Sequence, residues 1–182
     1  MEGEISPERY TPSIELEAEL VDHIAENGKI ISYVQKGLVK VPIDKINIYC
    51  MGKVPMYPKE ELQRLQRLKQ SDRKKFDAEP QNEERLVFIR DRLKHNWERS
   101  QEMFETIKQI RWEDSVEVVD KIIAHLLSVG EDITVETRIR YSSQLEAPLG
   151  GLKIQSTWKV LPNGPNIYQL LISFQLKKED NQ

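Results

Sequence analysis

Cysteine is nearly absent from this chain. Cys50 is the only one in 182 residues, so no disulfide can close within it, and reducing, cytoplasmic surroundings are the expectation. No apolar run approaches the roughly 20 residues of a membrane-spanning helix. The first residues, with Glu2, Glu4 and Glu8, are acidic and contain no apolar leader core, so no membrane partner is expected. Histidine is scarce as well. His23, His95 and His125 each fall in a segment of helical spacing, and none has a His or Cys at ligand spacing. Asp91 stands four residues before His95, the spacing of an ordinary surface contact along a helix. The glycine pair Gly150-Gly151 leads into a strand-like segment rather than a helix, so it is no phosphate loop.

Reactive constellations are missing too. Cys50 follows an apolar stretch and reads as a buried, inert thiol. Asp114, Asp120, Glu131, Asp132 and Glu136 are close in sequence, but no motif surrounds any pair of them. No catalytic residue, metal ligand or cofactor is therefore predicted. Trp97 and Trp158 read as packing residues.

What the chain does have is charge, unevenly placed. The formal net charge is -3 and the pI about 5.8. Residues 1–28 carry eight acids and one base, residues 29–56 five lysines and one acid, and residues 57–75 seven bases and three acids. An acidic start is followed by a basic stretch, a layout that the global balance hides.

The apolar pattern predicts an α+β fold. Residues 1–12 read as an acidic flexible tail, 13–178 as a single domain and 179–182 as a polar end. Leu20, Val21 and Ile24, after Ser13 and before Asn27-Gly28, are spaced as in a helix. Residues 29–50 have strand composition, with a hairpin turn at Lys36-Gly37 and an edge strand carrying Pro42. Residues 57–111 form a long helical region, interrupted near Pro80. A further helix starts at Asp114-Ser115, buries Val116, Val119, Ile122, Ile123, Leu126 and Leu127, and stops at Gly130.

The last third alternates with period two in residues 132–141, 151–160 and 167–177. These three strands form an antiparallel meander, joined by one or two N-terminal strands, with helices on one face. Leu171 is the odd apolar member of the outward face. Residues 142–151 are expected to form a long loop carrying Leu145 and Leu149.

Three surfaces rise above this background. Leu62, Leu65 and Leu68 make a thin seam, narrower than a core-facing helix needs, so they and Leu145 and Leu149 are candidate contacts for another protein or a second copy. Arg64, Arg67, Arg73, Lys74 and Lys75 make a basic helix. Arg138, Arg140, Lys153, Lys159 and Lys177 lie on the polar side of the meander, opposed by Glu136. Either basic group could contact nucleic-acid phosphates, although no exposed aromatic residues accompany them. The leading expectation is a non-enzymatic binding, regulatory or adaptor protein acting through protein–protein contacts. A nucleic-acid-associated protein is the alternative, and a small-ligand or enzymatic pocket between sheet and helices a further one.

Overall fold

Trp158 is the largest fully buried side chain, and the sheet is organised around it. In the computed structural model, which describes residues 10–25, 27–112 and 115–179, six strands form one sheet. They are β1 (Glu19–Ile24), β2 (Ile30–Lys36), β3 (Val39–Pro42), β4 (Arg138–Glu146), β5 (Gly151–Asn163) and β6 (Asn166–Lys178). Their order is β1-β2-β3-β6-β5-β4. The expected meander is the β4-β5-β6 half, although its first strand spans 138–146 rather than 132–141 and leaves Tyr141 exposed; along β5 Leu152, Ile154, Ser156 and Trp158 point inward. The α+β class holds, but the sheet is mixed. β3 runs parallel to β6, pairing Val39 with Gln169 and Lys40 with Leu170.

The N-terminal half departs from the sequence reading. Residues 19–24 form an edge strand rather than a helix. Leu20 faces the core opposite Val34, and Val21 faces away opposite Tyr33. Asn27-Gly28 is not a helix stop but the turn between β1 and β2, where Gly28 takes a φ of 79°. The turn at Lys36-Gly37 is present, and β3 is short. It is not an edge strand, because β6 covers its second side. Pro42 is tolerated because the ladder to β6 has ended by then. Lys45–Cys50, read as strand-like, is a widened helical turn that buries Ile46 and Cys50. Tyr10 is buried against the core and donates its hydroxyl to Asp120, as Ser13 also does, while residues 1–9 of the expected tail lie outside the described residues.

The helices are α1 (Lys59–Ser71), α2 (Arg73–Ala78), α3 (Gln81–Val87), α4 (Lys94–Gln109) and α5 (Ser115–Asp132). A widened turn, Phe88–Leu93, joins α3 to α4. Asp114 and the Ser115 side chain, the expected cap of α5, lie outside the described residues. α4 and α5 lie on one face of the sheet, where Met103, Ile107, Val118, Ile122 and Leu126 pack with Val39, Ile154, Trp158 and Phe174. Val116 is exposed, and Val118 takes the place expected for it. Ser100, the polar position on the α4 stripe, is buried and donates to the Tyr49 carbonyl at 2.6 Å.

α5 also runs past Gly130. This glycine is kept by close approach rather than by a turn: a β-carbon there would overlap Val39 Cγ1 and lie 3.0 Å from the Trp158 ring. Beyond it, Gln169 closes the helix end, donating to the carbonyls of Gly130 and Ile133 and accepting from Val135 N–H.

Candidate functional site

One inserted residue decides which side chains share the exposed face of the sheet. Between β5 and β6 the register shifts at Thr157/Trp158: Thr157 faces Ser173, but Trp158 faces Leu171. Ile172 is the extra residue of a β-bulge. Before it the phase of β6 is inverted relative to strict alternation. Leu171 is therefore fully buried, not an odd member of the outward face. Tyr168 and Leu170, which strict alternation with an outward Leu171 would put inside, come out opposite Leu161 and Lys159.

The exposed face then carries an ordered set of cations. Arg138 stands directly opposite Lys159, which stands opposite Leu170, which pairs with Lys40. Arg140 lies opposite Thr157. Six residues back along β5, Lys153 stands directly opposite Lys177, about 20 Å from the Lys159 row at the usual strand rise. Arg138, Arg140, Lys153, Lys159 and Lys177 are all exposed, and none makes an ion pair among the described residues. Like charges placed directly opposite each other destabilise a sheet, and here two such pairs lack a counter-ion.

Lys40 is only 7% exposed, yet it has no carboxylate partner among the described residues. Its ammonium lies 4.1 Å from the centroid of the Tyr168 ring and 5.7 Å from that of Tyr33. Two ring faces thus replace the counter-ion. Burial pushes the Tyr33 hydroxyl pKa up, which keeps it neutral beside the lysine. Tyr168 stays half-buried at the margin of the cationic rows.

The helical arm arranges its candidates differently. Leu62 and Leu65 are buried in a second small core with Phe76, Leu86 and Ile89, and Leu68 packs against it. The thin seam is thus filled from within by α2 and α3. Glu61 accepts from Arg85 at 2.8 and 3.1 Å and Lys69 meets Glu83 at 2.9 Å, which closes the arm from outside. Arg73 pairs with Asp77 at 3.1 Å, while Arg64, Arg67, Lys74 and Lys75 are exposed without ion pairs among the described residues. Arg67 lies between two surface grooves of about 450 and 520 Å³. Leu145 is half-buried on β4 against the main core, and Leu149 is exposed in a tight connection. The expected ten-residue loop is mostly strand, leaving only residues 147–150 between β4 and β5.

Four buried or half-buried groups among the described residues have shifted pKa values. Burial raises the Cys50 thiol and the Tyr10 hydroxyl, the latter also held by Asp120. Burial lowers His125 and, with Arg99 beside it, Lys45. None of these lines the two arm grooves or the groove of about 350 Å³ beside Gly130 and Gln169. Among the described residues no cluster of three or more His, Cys, Asp or Glu could hold a metal ion, and no helix is long and apolar enough to cross a membrane.

Lys40, Tyr168 and Leu170 were not legible as site residues. One signal for them exists, the run Leu170-Leu171-Ile172, which breaks strict alternation. No protein-family model matches the chain, and no curated protein matches it.

Proposed function

We propose that this protein is a non-enzymatic binding protein whose ligand is single-stranded nucleic acid, received on the exposed face of the β4-β5-β6 half of the sheet. The observation that carries the reading is two directly opposed pairs of cations, Arg138 with Lys159 and Lys153 with Lys177, without a counter-ion among the described residues. A polyanion supplies the missing charge along both rows. Tyr168, with Leu161 and Leu170 beside it, offers a partly exposed apolar and aromatic margin against which bases can stack. Burial of Leu62 and Leu65 inside the arm removes the main support for a partner protein on that seam.

Fluorescence anisotropy with a labelled single-stranded oligonucleotide tests this, with duplex DNA and polyglutamate as comparisons. Affinity should fall with salt at a log–log slope of about -3.5 if five cations meet phosphates, at about 0.7 per contact. Replacing Lys153 and Lys177 with alanine should reduce that slope by about 1.4. Tyr168→Ala should weaken binding by about 1–3 kcal/mol. Binding of polyglutamate in preference to the oligonucleotide would assign the face to an acidic protein. No binding at low salt would end the proposal.

A further inference from the structure

Among the described residues β4 forms one edge of the sheet, and β5 is its only strand partner. Its hydrogen-bond phase is fixed by Val160, whose N–H donates to the Thr137 carbonyl at 3.1 Å. Alternation along an antiparallel ladder then turns the main-chain groups of Ile139, Tyr141, Ser143 and Leu145 toward β5. Those of Arg138, Arg140, Ser142, Gln144 and Glu146 turn away, and none of them makes a further main-chain hydrogen bond among the described residues. Five of the nine residues of β4 thus present open main-chain groups at the edge, and Arg138, Arg140, Tyr141, Ser142, Gln144 and Glu146 are exposed. Unpaired edges of this length are templates for another strand unless something guards them.

The charges along this edge select one partner. Its first part carries Arg138 and Arg140. Its last part carries Glu146, with Glu179 beside it, held by a hydrogen bond from the Gln144 amide. Such a strand complements itself when run antiparallel. Centred on Ser142, a second copy brings outward groups against outward groups along the whole strand, for roughly ten main-chain hydrogen bonds. Arg138 then faces Glu146 of the second copy, and Arg140 faces Gln144 beside Glu179. On the helix side, Ile139 faces Leu145. Other registers are worse. Moving the centre to Arg140 opposes two arginines, and moving it to Gln144 leaves both arginines unpaired. Any one-residue slip sets outward groups against inward ones.

We propose that the chain forms a two-fold dimer through β4, centred on Ser142, that joins the two sheets into one continuous sheet. The axis is normal to the sheet, so both cationic faces lie on the same side. Glu146 of the second copy gives Arg138 its counter-ion, so each protomer of the dimer offers phosphates Arg140, Lys153, Lys159 and Lys177, and the salt slope expected for five cations falls to about -2.8. The dimer stands independently of nucleic-acid binding, since neither its hydrogen bonds nor its charge pairs use a ligand.

Sedimentation equilibrium of the full chain across the micromolar range tests this. The wild type should be a dimer. Ser142→Pro should be monomeric with an unchanged circular dichroism spectrum, because that N–H points away from β5 and its loss takes nothing from the monomer's own ladder. Arg138→Glu should weaken the dimer by at least about tenfold, since it faces Glu146 twice across the axis. The double variant Arg138→Glu/Glu146→Arg should restore it. A wild-type chain that stays monomeric would overturn the proposal and leave the edge to a strand from a different protein. A dimer that Ser142→Pro leaves intact and that charge reversal does not weaken would overturn it as well.

Discussion

Gly130 sets two opposing effects against each other on one residue. It sits inside α5, where replacing glycine by alanine should stabilise a helix by about 1 kcal/mol. The added methyl would overlap Val39 Cγ1 and lie 3.0 and 3.1 Å from two atoms of the Trp158 ring. Neither neighbour can move easily. Val39 is on a strand bonded on both sides, and Trp158 is fully buried with its indole N–H donated to Ser156 at 2.9 Å. Overpacking of this kind costs about 1–3 kcal/mol or more. The steric effect should win, so Gly130→Ala should lower stability by about 1–2 kcal/mol net.

For a chain of this length each kcal/mol moves the melting temperature by about 2–4 °C, so calorimetry should resolve the change. A double-mutant cycle isolates the cause. Val39→Ala alone should cost on the order of 2 kcal/mol as a core truncation. Combined with Gly130→Ala it should cost less than the sum, by about 0.5 kcal/mol or more, because the second change relieves the overlap created by the first. A Gly130→Ala protein more stable than wild type, or strict additivity, would refute the close approach of helix and sheet.

Three other outcomes follow from the packing. Trp158→Ala should cost about 3–5 kcal/mol, while Lys159→Ala should change stability by under about 0.5 kcal/mol, measured by urea unfolding; equal losses would mean that both faces are covered. Leu65→Ser should expose amides of residues 59–93 to hydrogen exchange while those of β5 and β6 stay protected, since Leu65 belongs to the arm's own core; uniform loss of protection would mean that the two cores unfold together. His125, lowered by burial from 6.5, binds its proton more readily in the unfolded chain, so its contribution is complete above that pH and lost as pH falls below it. The melting-temperature difference between wild type and His125→Gln should therefore shrink from about pH 8 to about pH 5, and a difference that grows on acidification would reverse the sign of the effect.

The strands of the C-terminal half were legible where one face is wholly buried. Leu152, Ile154 and Trp158 alternate with exposed or half-buried neighbours because nothing interrupts β5 over that stretch. β1 was not legible for the opposite reason. It is a weakly buried edge strand, and Leu20, Val21 and Ile24 satisfy helical spacing as well as they satisfy pairing with β2. The deciding contact is with residues 30–35, which periodicity within β1 cannot register. Asn27-Gly28 is ambiguous in the same way, since a residue with φ above zero both ends helices and turns hairpins. The seam of Leu62 and Leu65 looked too thin because its partners are not on its own helix. Phe76, Leu86 and Ile89 complete it from the far side of the breaks at Asp72 and Pro80.

The candidate site depended on a feature that no hydrophobic pattern can locate alone. Leu170, Leu171 and Ile172 are consecutive, so either phase of β6 puts a large apolar side chain into the core. Composition is indifferent between the two, and only the partner strand decides. Trp158 occupies the centre of the sheet and meets Leu171, while Thr157, one residue earlier, already meets Ser173. The bulge at Ile172 absorbs the difference. Its consequence lies on the other face: with Leu171 turned inward, Tyr168 and Leu170 turn outward beside Lys159 and Lys40. The same five cations read from the sequence acquire an aromatic margin only through that inversion. A basic face without stacking groups is ordinarily just solvated. With Tyr168 at its border and two like-charged pairs that lack a counter-ion among the described residues, it fits the proposed ligand better than the cations alone would.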